Sequence, residues 1–170
     1  MKIRKLGIVL ISATLFSGAA MAQGNAQIDT QRDVNQKQRI EQGLKTGQLS
    51  TKEASGLMRQ QQHIDRMQAH ALKDGKVSPQ EQARLKAKQD KASRSIHAAK
   101  HNDVVGNPNS ASSKRMQAGV HRSIHQEKRI NRGLKTGALT HREAGRLAHA
   151  QARHDHRIAH IRGNGHINAR

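Results

Sequence analysis

The sequence predicts an all-α fold made of two repeated units of antiparallel helical hairpins, of which the second is truncated. The string Gly-Leu-Lys-Thr-Gly-x-Leu-Ser/Thr-x-x-Glu-Ala occupies residues 43–54 and recurs ninety positions later at residues 133–144. A repeat of this length fixes the architecture. Around it, apolar residues recur with the 3.6-residue period of helices that bury one face. Because Phe16 is the only aromatic residue, the predicted core consists of Leu, Ile, Val, Met and Ala.

Residues 1–22 have the features of a secretory signal peptide. They combine a basic start (Lys2, Arg4 and Lys5), an apolar run over residues 6–16 and a small-x-small site that ends at Ala22. The apolar run is shorter than the roughly 20 residues that a transmembrane helix needs. We therefore expect cleavage after Ala22, a mature chain without a transmembrane segment, and a location in the periplasm or outside the cell.

The mature chain is strongly basic. Without the three basic residues of the signal, the 31 Lys and Arg become 28 against 12 Asp and Glu, a net charge of +16. Such a chain is expected to attract polyanions or anionic surfaces. The sequence has no cysteine, which excludes disulfides, thiol catalysis and thiolate metal sites.

The first copy of the repeated string predicts a helix, a glycine turn and a second helix. Gly43 and Gly47 flank the expected end of the first helix near Thr46, where a glycine can adopt the left-handed cap conformation. Ser50 and Glu53 have the spacing of a capping box, which satisfies two backbone amides at the start of the next helix.

A second turn of the same kind follows in the first unit. Ser78 is the predicted N-cap, Pro79 the first helical residue and Glu81 the partner in the capping box. The third helix is expected to end near His101. We assign residues 23–101 to a first helical unit of three helices.

The remaining chain predicts a linker and a shorter second unit. Residues 102–113 are rich in Asn, Ser, Gly and Pro and are expected to form a flexible linker. Residues 114–170 form the second unit, with two helices and a partial turn. Thr140 and Glu143 repeat the capping box there, and residues 163–168 correspond to the second turn of the first unit.

The turn at Asp74-Gly75-x-Val77-Ser78-x-x-Glu81 resembles the second half of an EF-hand loop. The positions of the first oxygen ligands carry His70 and Leu72 instead. The resemblance implies a helix-loop-helix shape, whereas calcium binding is not expected because Ca²⁺ takes six to eight oxygen ligands.

Two further resemblances concern exported proteins. The repeated string resembles that of poorly characterised exported bacterial helical proteins with GLxxGxLTxxEA repeats, over residues 35–103. Leu-Ser/Thr-x-x-Glu within it is similar to the Leu-Thr-x-x-Gln motif of periplasmic stress chaperones. Neither resemblance implies an activity or a cofactor.

Histidine is the residue type that most strongly suggests chemistry. The chain has 12, and three pairs have the i,i+4 spacing that places two imidazoles on one helix face. Two triplets also share a helix face. The first is His63, Met67 and His70, and the second is His149, His156 and His160, which lies opposite Leu147, Ile158 and Ile161. The candidate metal ligands are His97, His101, His121, His125, His149, His156, His160, His63, Met67 and His70. His154 occupies the position of core-facing Ile64 and is expected to be partly buried.

The leading hypothesis is an exported, non-enzymatic protein that captures or buffers transition metal ions at low affinity. Neutral imidazole suits Cu, Zn or Ni, and no obligatory cofactor is predicted. The histidine pattern is also compatible with two simpler roles. The imidazoles could solvate a polar face, or they could sense pH, since imidazole titrates near 6.5.

The alternative function is that of a cationic periplasmic stress, adaptor or chaperone-like protein that binds polyanions or unfolded clients. Since the mature chain has no aromatic residue to stack on bases, no sequence-specific nucleic-acid binding is predicted. Catalysis is not predicted, because the sequence shows no nucleophile elbow, phosphate loop or paired carboxylates.

Overall fold

The computed structural model describes the backbone of residues 17–160 and the side chains of residues 30–160. This part of the chain forms five helices. The helices are α1 (Ser17–Thr46), α2 (Thr51–Ala71), α3 (Pro79–Lys100), α4 (Ala111–Thr136) and α5 (His141–Ala159). This confirms the predicted all-α class. None of these helices is both long enough and apolar enough to cross a membrane.

Two predictions fall wholly or largely outside the described residues. They are the signal peptide of residues 1–22, apart from its last six residues at the start of α1, and the partial turn at residues 163–168. The helix α1 begins at Ser17, six residues before the expected start of the mature chain at Gln23.

The predicted starts of α2, α3 and α5 are confirmed. Ser50, Ser78 and Thr140 are the N-caps of α2, α3 and α5, and each has a complete capping box with the glutamate three residues on. Pro79 is the first residue of α3, where its missing N–H costs no hydrogen bond.

The two copies of the repeated string form turns with the same backbone geometry. Gly47 and Gly137 have φ values of 75° and 73°, a backbone conformation that residues with a Cβ atom rarely adopt. In each copy the leucine after the turn donates its amide to a glycine carbonyl of the preceding helix. The two bonds are Leu49 N to Gly43 O and Leu139 N to Gly133 O, both 3.0 Å long.

The helices pack in antiparallel pairs that join the first and last parts of the chain. α1 lies along α4 and α2 lies along α5, while α3 covers α1 and α2. Antiparallel packing follows from the contacts: Gln31 bonds Asn131 at one end of α1, and Glu41 bonds His121 at the other. The largest apolar cluster includes side chains from all five helices, so the predicted units share one core.

The segment between α3 and α4 lies against the first turn. Gly106 donates its amide to the carbonyl of Gly47 at 2.8 Å, and Asn102 donates to the carboxylate of Glu53 at 2.6 Å. Ser110 then caps α4, so that this helix begins at Ala111 within the predicted linker.

The apolar faces of the helices agree with the predicted ones, with one exception. Ile64 and Ile158, which were expected on apolar faces, are buried. Leu147, which was expected on the apolar side of α5, is instead 42% exposed. No helix among the described residues covers this part of α5, whereas Ile158, three turns further along the helix, is buried against Gly119 of α4.

Candidate functional site

Three histidine pairs lie on exposed helix faces with their rings close together. The ring centroids are 4.2 Å apart for His97 and His101 on α3, 4.5 Å for His121 and His125 on α4, and 4.3 Å for His156 and His160 at the end of α5. All six histidines are exposed to solvent. The i,i+4 spacing therefore brings each pair within reach of one ion.

The pair at the end of α5 has the geometry closest to a metal site. The Nε2 atoms of His156 and His160 are 3.1 Å apart, so one nitrogen donates a proton to the other. Two nitrogens bound to one tetrahedral ion at about 2.0–2.1 Å would be about 3.3 Å apart. A metal ion could thus replace the shared proton with little movement of the rings.

The pKa of His156 favours the neutral ligand form. Partial desolvation lowers this pKa below its ordinary value, and the nearby His160 and Arg66 lower it further. A neutral imidazole keeps the lone pair that a metal ion needs.

In the other two pairs, one histidine has its Nδ1 engaged. His101 donates Nδ1–H to the carbonyl of His97 at 2.7 Å, and His121 donates Nδ1–H to the carboxylate of Glu41 at 3.0 Å. A carbonyl or carboxylate can only accept, which fixes the tautomer and leaves Nε2 as the ligand atom. Metal-binding histidines usually have such a partner on the second nitrogen.

In neither predicted triplet do the described contacts bring all three side chains together. His149 accepts a hydrogen bond on Nδ1 from Arg153 at 2.5 Å, so its neutral ring carries the proton on Nε2 and offers no free lone pair. Met67 is partly buried against the core cluster of Ile64, while His63 is exposed. Among the described contacts, none links His149 to His156.

Two histidines outside the candidate set are partly buried. His154 has a side-chain exposure of 18%, as expected from its position, and its Nδ1 lies 3.5 Å from Asp155. His141 bonds the carbonyl of Gly75 at 2.7 Å and thereby joins the start of α5 to the turn before α3.

The core contains an ionic cluster that was not predicted from the sequence. Lys37 of α1 is fully buried, and its ammonium group contacts Asp65 of α2 at 3.3 Å, Asp155 of α5 at 2.9 Å and Glu127 of α4. Asp33, one turn before Lys37, is also fully buried. The sequence did not reveal these carboxylates: three of them contact Lys37, and Asp33 lies within 4.8 Å of two of the three.

A network of buried amides surrounds these charges. Gln89 donates to Asp33 at 2.8 Å, Gln61 donates to Gln36 at 3.0 Å, and Ser123 donates to Asp155 at 2.7 Å. Each helix of the bundle thus contributes at least one polar side chain to the interior, and hydrogen bonds among these side chains reduce the cost of burying them.

The four carboxyls differ in their affinity for protons. Burial raises the pKa of Asp33 and Asp65 well above the ordinary value and raises that of Glu127, although Lys37 opposes the shift in each. Burial also acts on Asp155, but Lys37 and hydrogen bonds from His154, Lys37 and Ser123 lower its pKa to about 2.

The three carboxyls with raised pKa values also form an acidic group. Asp33, Asp65 and Glu127 each place an oxygen within 4.8 Å of the others. The ammonium group of Lys37 is the cation in contact with Asp65 and Glu127. We therefore regard the group as part of the lysine cluster and not as a candidate metal centre.

One signal in the sequence could have found the cluster. The ninety-residue offset that aligns the two turn strings also aligns Asp65 with Asp155 and Gln61 with Gln151, which are identical pairs. It aligns Lys37 with Glu127, a pair of opposite charges. Polar residues at equivalent positions of two packed helices are candidates for a shared interior contact.

Because these carboxyls are buried, the surface is more basic than the composition suggests. Within residues 30–160, 25 Lys and Arg are not buried, against seven Asp and Glu. A cleft of about 610 Å³ between α2 and α5 concentrates this charge. Its lining consists of Arg66, Ala69, His70, Lys73, Arg142, Gly145, Arg146 and His149.

In the turn that resembles an EF-hand, both carboxylates make local hydrogen bonds. Glu81 accepts from the amide and the hydroxyl of Ser78 at 2.9 and 2.6 Å. Asp74 accepts from the amide of Lys76 at 3.1 Å. The glutamate thus acts as the capping residue that its spacing also predicts.

Comparison with protein-family models, with curated proteins and with solved structures finds no match to this chain. Its function is therefore inferred from its own residues.

Proposed function

We propose that this chain is an exported, non-enzymatic binding protein that captures or buffers Cu, Zn or Ni ions through exposed histidine pairs. The observation that carries the proposal is the 3.1 Å separation of the Nε2 atoms of His156 and His160. The fixed tautomers of His101 and His121 support weaker sites on α3 and α4. Two imidazoles without a thiolate form a low-affinity, exchangeable site, which suits buffering.

The proposal is tested by calorimetric titration of the protein with Cu(II), Zn(II) and Ni(II). We expect dissociation constants below about 1 mM, and we expect the tightest site to be lost in the variant His156→Gln/His160→Gln. The control His63→Gln/His149→Gln removes the same number of imidazoles from positions that the structure does not pair. Metal capture is refuted if the wild type binds no ion in this range, or if the two variants lose binding equally.

A second candidate function is supported by the basic surface. Four Lys and Arg side chains and two imidazoles line the cleft between α2 and α5, and none of the acidic residues that the structure describes lines it. Such a surface would bind a polyanion mainly through phosphate or sulfate groups, with affinity that falls as salt increases. Replacing Arg66, Arg142 and Arg146 by Gln should weaken the binding of tripolyphosphate more than replacing Arg84, Arg115 and Arg122.

We also infer that the chain contains two copies of one helical hairpin unit. The matching turns at Gly47 and Gly137 support this inference, as do the identical residues at equivalent positions of α2 and α5. Export depends on the signal-like residues 1–22. It is tested by determining the N-terminus of the secreted product, which we expect at Gln23.

A further inference from the structure

Among the described residues, a groove lies open between α4 and α5, at the place where the first half of the chain has α3. Its volume is about 590 Å³, and its apolar residues include Ile130, Leu139 and Leu147. The ninety-residue offset aligns these three with Ile40, Leu49 and Leu57, which are 0%, 1% and 5% exposed. Leu147, by contrast, is 42% exposed.

In the first half, α3 makes the contacts that close the corresponding surface. Ile96 of α3 belongs to the same core cluster as Ile40 and Leu57. Leu85 and Ala92 of α3 belong to a second cluster with Ile64. These three apolar residues of α3 lie on one face, at the spacing of an amphipathic helix.

Polar contacts fix the same helix in position. Arg39 donates to the hydroxyl of Ser93 at 2.9 Å, and Gln36 donates to the carbonyl of Gln89 at 2.7 Å. The equivalents of Arg39 and Gln36 in the second half are Arg129 and Gln126, which line the open groove. The groove therefore keeps both the apolar floor and the polar groups that hold a helix.

The charges at the rim of the groove indicate what kind of helix would fit it. Arg153 and Arg157 take the places of His63 and Met67 and join Arg129 along the groove. Among residues 30–160, no acidic side chain lines the groove. Three arginines around an apolar floor are complementary to an amphipathic helix whose flanks are acidic.

We propose that this groove binds an acidic amphipathic helix of a partner protein, in the way that α1 and α2 bind α3. A second copy of this chain is a poor occupant, since its α3 already covers its own α1 and α2, and its surface carries the same positive charge. The proposal goes beyond metal capture, because neither His156 nor His160 lines the groove.

The probe is a synthetic peptide with the sequence of residues 78–100 and the changes Lys86→Glu, Lys88→Glu and Lys91→Glu. It keeps the apolar face and the N-cap of α3 but carries acidic flanks. Binding to the protein is followed by fluorescence anisotropy. We expect a dissociation constant below about 100 µM, and at least about tenfold weaker binding of the unchanged basic peptide.

The variant Leu147→Glu tests the position of binding. It should weaken binding of the acidic peptide at least about tenfold, because it removes the central apolar contact and adds a like charge. Val105→Glu is the matched control, since Val105 is 88% exposed and lies outside the groove, and it should change binding less than about twofold. Both positions are exposed, so both variants should fold.

Three results would overturn the proposal. They are a failure of the acidic peptide to bind below about 1 mM, an equal loss in the two variants, and self-association of the wild type that Leu147→Glu abolishes. Equal loss would indicate general attraction to a basic surface, and self-association would identify a second copy as the occupant. None of these results bears on the titration of metal ions.

Discussion

The interior and the surface of this protein have opposite charge patterns. Inside, the ammonium group of Lys37 contacts three buried carboxyls, and a fourth, that of Asp33, is buried beside two of them. Outside, within residues 30–160, unburied Lys and Arg outnumber unburied Asp and Glu by 25 to seven. This contrast indicates that the acidic residues mainly hold the helices together, whereas the basic residues and histidines are accessible to ligands. The predictions below test this division.

The largest effect is expected from removing the central cation. Lys37→Met should reduce the free energy of unfolding by about 3–5 kcal/mol, because it leaves buried carboxylates without their counter-ion. Chemical denaturation at pH 7 measures the change. If Lys37→Met were as stable as the wild type, the cluster would not be what holds α1 to α2, α4 and α5.

The two aspartates with opposite pKa shifts should respond differently to the same substitution. Asp155→Asn should reduce stability by about 1.5–3 kcal/mol, because an ionised group is lost from its bonds with Lys37 and Ser123. Asp33→Asn should reduce stability less than Asp155→Asn does, because burial raises the pKa of Asp33 and disfavours its ionised form, whereas Lys37 and Ser123 stabilise the ionised form of Asp155. Equal effects in denaturation at pH 7 would contradict the difference between these carboxyls.

The raised pKa of Asp33 should also make the stability of the fold depend on pH. A carboxyl with a raised pKa in the folded state stabilises the fold while it keeps its proton, and this stability is lost as pH rises from its ordinary value toward the raised one. The wild type should therefore lose stability relative to Asp33→Asn as pH rises above about 4, by up to about 1.4 kcal/mol per pH unit. Denaturation of both proteins between pH 5 and 8 measures the difference, and parallel curves would refute it.

The smallest effect is expected at the surface. Replacing Arg84, Arg115 and Arg122 by Gln should change the free energy of unfolding by less than about 0.5 kcal/mol in total, since all three side chains are exposed and make none of the described ion pairs. Thermal denaturation at low and high salt checks this. A large loss would show that surface arginines also hold the fold together.

The sequence predicted the parts of the fold that depend on local chemistry. Ser50, Ser78 and Thr140 cap helices because their hydroxyls and the following glutamates satisfy backbone amides within four residues. The interior of the bundle was not predicted, because a buried Lys37 has the same hydropathy as an exposed one. Its burial depends on which helices pack together, and that information is spread over residues 33–155.

The candidate site also has a part that the sequence could predict and a part that it could not. Pairs such as His156 and His160 follow from helical spacing alone, so the sequence could predict them. The exposure of Leu147 could not be predicted from the pattern of α5, since it depends on the absence of a covering helix among the described residues.

The most direct test of metal capture at the surface is the position of a bound ion. Crystals of the protein grown with Zn(II) or Cu(II) would locate it by anomalous scattering. We predict an ion bound to Nε2 of both His156 and His160, with the cluster around Lys37 unchanged. An ion among Asp33, Asp65 and Glu127, or none at any histidine pair, would contradict the proposal.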